Sequence, residues 1–153
     1  MSTQTYMDTP RVLIQWDGAA RWILIRFRDW ADTGEIEAAI PTFLEAVEEH
    51  HATRCLSDSR KRHVVQPGAT TAFADVGIPR AAALGLKRLA IVLPQSVVTL
   101  SSMEPLLARY REHVETETFG TLEDAGAWLA TDRPGTADPR PAEQDPPPGS
   151  TIA

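Results

Sequence analysis

Apolar side chains recur at every second position over residues 22–30, with Ile23, Ile25 and Phe27 on one face and Leu24, Arg26 and Arg28 on the other. That alternation predicts a half-buried strand. Just before it, residues 11–16 carry the β-branched and apolar run Val12, Leu13 and Ile14, closing on Asp17-Gly18, a dipeptide favoured in hairpin turns. So few residues separate the two runs that an antiparallel pairing is expected, since parallel neighbours need a crossover of about a dozen residues.

From residue 36 the period changes. Ile36, Ile40, Phe43, Leu44 and Val47 return at three- and four-residue spacing, behind a start resembling a capping box at Asp32 and Glu35. Pro41 falls inside this helix and predicts a bend or a late start. Residues 53–57 read as a central strand that ends at Asp58-Ser59. After Pro67-Gly68 a second helix is expected to take in Phe73 and residues 81–84, interrupted by Pro79 and closed by Gly85. Residues 89–93 form a continuous apolar run of the kind buried on both faces of a sheet, ending at Pro94. Ser101 and Glu104 predict the start of a third helix reaching about His113. Residues 116–119 then suit an edge strand, and Thr121 with Asp124 predicts a last helix burying Leu122, Ala125, Trp128 and Leu129.

The order β-β-α-β-α-β-α-β-α predicts an α/β fold. Its two-layer mixed sheet would begin with an N-terminal antiparallel hairpin, continue through β-α units and be flanked by helices. One folded domain is expected over residues 11–131, preceded by a flexible arm over residues 1–10. Residues 132–153 hold six of the twelve prolines and almost no large apolar side chain, so a disordered proline-rich tail is expected there.

Composition narrows the function classes. The chain has 153 residues, of which 42% are hydrophobic and 24% charged, ordinary values for one globular domain. Its formal charge of −6 argues against a general affinity for nucleic acid. No apolar stretch approaches the roughly 20 residues needed to span a bilayer, and residues 1–9 lack the basic start and apolar run of a signal peptide. The single cysteine, Cys55, excludes an internal disulfide and suits a reducing compartment, so a cytoplasmic location is expected.

No pattern demands catalysis. His50 and His51 are adjacent and diverge rather than converge on an ion, and no zinc, dinucleotide, P-loop or nucleophile-elbow motif is present. No catalytic residue, metal ligand or cofactor is therefore assigned. Asp58, Ser59 and Arg60 are the first candidate ligand or partner surface, because open α/β sheets bind ligands beyond the C-terminal ends of their strands. The competing interpretation is that Asp58 caps the local turn and pairs with Arg60. Ser59 and Thr70 are candidate phosphoacceptors, with Arg60, Lys61 and Arg62 as candidate phosphate partners, although solvated loop hydroxyls are common. Trp16, Trp22 and Trp30 flank the hairpin. They would mark an interface if exposed on one face, and otherwise simply pack at the sheet ends.

Residues 77–94, GIPRAAALGLKRLAIVLP, resemble the signature of the SpoIIAA-like family, small bacterial proteins related to the STAS and SEC14-like domains. The strand end LSDSR at 56–60 and the closing FGTLEDAGAWL at 119–129 are also similar to that family. The likeness spans residues 11–131 and lies mostly in packing positions. It implies a STAS-like fold and a non-enzymatic protein-interaction or regulatory domain, acting on an unknown protein partner or as a homodimer. Anti-sigma antagonist relatives carry an Asp-Ser-x-Gly sequence after the central strand, whereas residues 66–71 here read QPGATT, so a phosphoserine switch does not carry over. The alternative is a module for a small or lipophilic ligand, with its pocket near the C-terminal ends of the central strands. A lipid would need a cavity of about several hundred cubic ångströms.

Overall fold

The computed structural model describes residues 3–28, 33–61 and 72–131. Trp30, Asp32, Arg62, His63, Thr70 and the proline-rich segment 132–153 lie outside the described residues. The elements are β1 (Thr3–Asp8), β2 (Val12–Asp17), β3 (Trp22–Phe27), α1 (Thr33–His50), β4 (Arg54–Asp58), a π-helical turn (Phe73–Gly77), α2 (Ile78–Ala83), β5 (Arg88–Val92), α3 (Val97–Arg111), β6 (Glu115–Phe119) and α4 (Leu122–Ala130). One mixed sheet holds all six strands in sequence order. β1, β2 and β3 are antiparallel, and β3 through β6 run parallel.

The predicted hairpin forms with Val12 opposite Phe27, Ile14 opposite Ile25 and Trp16 opposite Ile23, so these side chains share one face. Asp17 organises the turn, its carboxylate accepting from the N–H groups of Ala19 and Ala20 at 3.0 Å each. The apolar face lies under α1, the π-helical turn, α2 and α3, in a core that includes Ile14, Ile25, Phe43, Val47, Cys55 and Ile91. The opposite face carries a smaller core in which α4 buries Ala125 and Leu129 against Leu56, Ala90 and Val92. An α/β fold with flanking helices was expected; its sheet is larger by one strand, and because α4 covers the face opposite α1, α2 and α3 the arrangement has three layers rather than the expected two.

That extra strand corrects the expected N-terminal arm. Residues 3–8 pair with β2, with an irregularity between Thr5 and Met7. A bulge of this kind lets the consecutive residues Tyr6 and Met7 both pack against the first core. The other four residues of β1 are exposed, which removes the alternation that would have announced a strand.

Prolines shape two helices differently from expectation. α1 runs from Thr33 straight through Pro41, so there is no late start. Before α2 the chain makes a wide turn closed by the Ile78 N–H donating to the Phe73 carbonyl, five residues back. Gly77 is required there, because a Cβ would stand 2.8 Å from Phe73 Cδ1. Pro79 then sits in the first turn of α2, where a missing N–H costs little. Gly85, at φ +117°, ends α2 as expected, with Leu86 N–H donating to the Ala81 carbonyl at 2.9 Å and Gly85 N–H to that of Ala82 at 3.0 Å.

α3 begins earlier than Ser101. Its cap is Ser96, whose hydroxyl accepts from the Thr99 N–H at 3.0 Å. Val97 and Val98 in its first turn are exposed, so no apolar period marks that start. Thr121 caps α4 as expected, accepting from the Asp124 N–H at 3.1 Å.

Candidate functional site

The parallel register places Arg26 of β3 beside Asp58 at the end of β4. Asp58 is 2% exposed, and a carboxylate at that depth needs cations and donors to remain charged. It has them. Arg26 Nε donates to Oδ2 at 2.7 Å, Arg60 Nε donates to Oδ1 at 2.9 Å, and Arg60 Nη2 donates to Oδ2 at 2.9 Å. Burial alone would raise the carboxyl pKa, but the hydrogen bonds from Arg60 and Arg26 outweigh it and hold the group below its ordinary value. The same pairing holds the Arg60 guanidinium above its own ordinary value.

Asp58, Ser59 and Arg60 therefore do not form one surface. Successive strand residues point to opposite faces, and Asp58 lies on the α4 side while Ser59 turns to the helix layer. Ser59 is 3% exposed, which withholds its hydroxyl from a modifying enzyme and corrects its assignment as a phosphoacceptor. Arg60 folds back on Asp58, as the turn interpretation expected. Arg26, absent from the sequence-derived candidates, completes the cluster. Its place on the polar face of β3 was visible, but its partner lies 32 residues away and emerges only from the parallel register.

On the helix-layer face, Ser57 and Ser59 line a cavity of about 30 Å³ with Cys55, Phe43, Phe73 and Tyr110. This is room for one or two water molecules and far below a lipid. The two serine hydroxyls lie 3.3 Å apart. One donates to the other, leaving the second proton without an acceptor among the described residues. Cys55 is fully enclosed, and burial pushes its thiol up to about 12, so it stays protonated at neutral pH and is a poor nucleophile.

Trp16 and Trp22 lie on opposite faces of the sheet and do not combine into one surface. Trp16 is buried on the α1 face, stacked on His50 with ring centroids 4.3 Å apart. Trp22 packs on the α4 face, where a Cβ on Gly126 would stand 3.3 Å from its ring. Packing at sheet ends describes both. His50 is thus spent on Trp16, and among the described residues no group of three His, Cys, Asp or Glu side chains is placed to hold a metal ion. No described helix is long and apolar enough to cross a membrane.

A second arginine pair escaped sequence reasoning altogether. Arg54 and Arg88 open β4 and β5 side by side. Arg88 donates to the carbonyls of Trp128 at 2.8 Å and Thr131 at 3.0 Å, with its guanidinium 4.0 Å from the Trp128 ring centroid. Arg54 donates to the Leu129 carbonyl at 2.8 Å. These arginines close the C-terminal end of α4, where unpaired carbonyls and the helix dipole favour cations.

The chain matches no protein-family model, no curated protein and no solved structure.

Proposed function

We propose that this chain is a STAS-like domain of the SpoIIAA-like kind, working without catalysis as a protein-interaction or regulatory module. One observation carries this reading. At the C-terminal end of the parallel strands the buried carboxylate of Asp58 is tied up within the fold, while Val97 and Val98 stand 80% and 63% exposed at the start of α3. They are the most exposed large apolar side chains among the described residues, and they leave the sheet at the end where α/β folds place their ligands. An adjacent apolar pair there suits contact with another protein surface better than enclosure of a small molecule.

The test uses the double variant V97D/V98D. Both side chains are exposed, so stability should change by less than about 0.5 kcal/mol. A partner retained by the wild-type chain from an extract of its source should be lost by this variant. Equal retention would remove the proposed surface.

A small-ligand module is a second reading, favoured by a serine proton without an acceptor among the described residues in a mostly apolar cavity. A ligand there would be small, largely apolar and equipped with one acceptor oxygen. Native mass spectrometry of protein purified from its source would show the added mass, and removal of that mass by Ser57→Ala would assign it to the cavity.

A further inference from the structure

Asp58 uses only part of each guanidinium that it holds. Arg26 contributes Nε alone, and Arg60 contributes Nε and Nη2. Both Nη groups of Arg26 and Nη1 of Arg60 have no partner among the described residues, and the two side chains are 34% and 49% exposed. Both guanidiniums bond to the same oxygen, Asp58 Oδ2, which sets them next to each other. Each therefore presents its outer fork to solvent from a fixed base, rather than from the free end of a mobile side chain. Lys61, also exposed, follows directly in the chain. Three cations stand against one carboxylate in a protein whose overall charge is −6.

Arg28 provides the internal contrast. It lies two residues beyond Arg26 on the same face, yet its Nη1 is spent on Asp8 at 2.6 Å and on the Thr9 carbonyl at 2.9 Å. Among the described residues, Arg26 and Arg60 are the arginines at this end of the sheet that share one buried carboxylate.

We infer that Arg26 and Arg60 together form a binding site for a phosphate monoester, pre-organised by Asp58. The number of donors selects the ligand. One arginine fork saturates the two oxygens of a carboxylate, whereas two adjacent forks match the three terminal oxygens and double charge of a phosphate monoester. Asp58 would hold both guanidiniums in place before binding, which lowers the entropy lost when the ligand arrives. The site goes beyond the protein-interaction reading and stands without it, because the ester could belong to a phosphorylated side chain or to a small metabolite.

The experiment follows the Nε–Hε NMR signals of the arginines in the full chain during three titrations. The probes are inorganic phosphate, phenyl phosphate and a phosphoserine peptide, each balanced by sodium chloride at equal ionic strength. Saturable shifts at Arg26 and Arg60 with all three are expected. Arg26→Lys and Arg60→Lys keep the charge but lose the fork, and each should weaken binding about tenfold, the factor carried by one charge-assisted hydrogen bond. Tighter binding of the peptide than of phenyl phosphate would assign the site to a phosphorylated protein segment, and the reverse would assign it to a small ester. Shifts reproduced by chloride alone, no saturation by any probe, or unchanged affinity in both lysine variants would overturn the inference. The wild-type titration decides the matter by itself should a variant fail to fold.

Discussion

Two pairs of arginines occupy the same face of the sheet at opposite ends, and they do different work. Arg54 and Asp58 are the first and last residues of β4, about 13 Å apart along one strand face. At the first end Arg54 and Arg88 bond to backbone carbonyls of the final helix turn, and the Arg88 side chain is only 10% exposed. At the far end Arg26 and Arg60 share one buried carboxylate and leave their outer nitrogens in water. The residue type is the same, and the partner decides the role. Carbonyls at a helix end, with Glu115 beside Arg88, hold the first pair within the fold, whereas the second pair shares one carboxylate and stays partly exposed.

The sharpest way to break this comparison is to strip Asp58 of both cations. In R26M/R60M a carboxylate would be left buried without compensation, at a cost of about 3–5 kcal/mol in urea unfolding. The cost should exceed the sum of the single variants, because either arginine alone still satisfies Asp58. Arg88→Met comes next. It removes the guanidinium from over the Trp128 ring and orphans carbonyls at the end of α4, with an expected loss of about 3 kcal/mol. Arg60→Met alone should cost about 1 kcal/mol, since Arg60 is half in water and Arg26 remains. A loss from Arg60→Met as large as that from Arg88→Met would erase the distinction between the two ends.

Acid titration sharpens the same contrast. The folded pKa of Asp58 lies below the unfolded value of about 3.9. Its contribution to stability is therefore complete above that unfolded value and is lost as pH falls through the lower folded value. Asp58→Asn should flatten this part of the stability profile measured by urea unfolding. In R26M/R60M the sign should reverse, because burial without cations raises the carboxyl pKa and stability is then lost as pH rises.

Much of the fold was legible because burial leaves a period. β3 alternates, β2 opens on an apolar run, β5 is apolar from Leu89 onward, and α1 and α4 carry apolar stripes, so each announced itself. β1 did not, because an edge strand needs to bury little, and only Tyr6 and Met7 touch the core. The start of α3 was hidden for the opposite reason, since Val97 and Val98 are apolar yet exposed. The candidate site was half legible. Asp58 and Arg60 are two residues apart and their pairing is local, but Arg26 reaches them through strand register. The Arg88 contacts with Trp128 span 40 residues and have no local signature at all.

The smallest predicted effect concerns the end of α1. His51 adopts φ 50° there, with Ala52 N–H donating to the Val47 carbonyl at 3.0 Å, a position that glycine fills without a Cβ penalty. His51→Gly should stabilise the protein by about 0.5 kcal/mol in urea unfolding.

The most direct measurement is one arginine side-chain NMR spectrum of the wild-type chain, recorded while inorganic phosphate is added at constant ionic strength. Signals from Arg26 and Arg60 should move together and saturate while those of Arg54 and Arg88 stay in place. Four signals moving alike, or none moving, would contradict a division of labour between the two ends of the sheet.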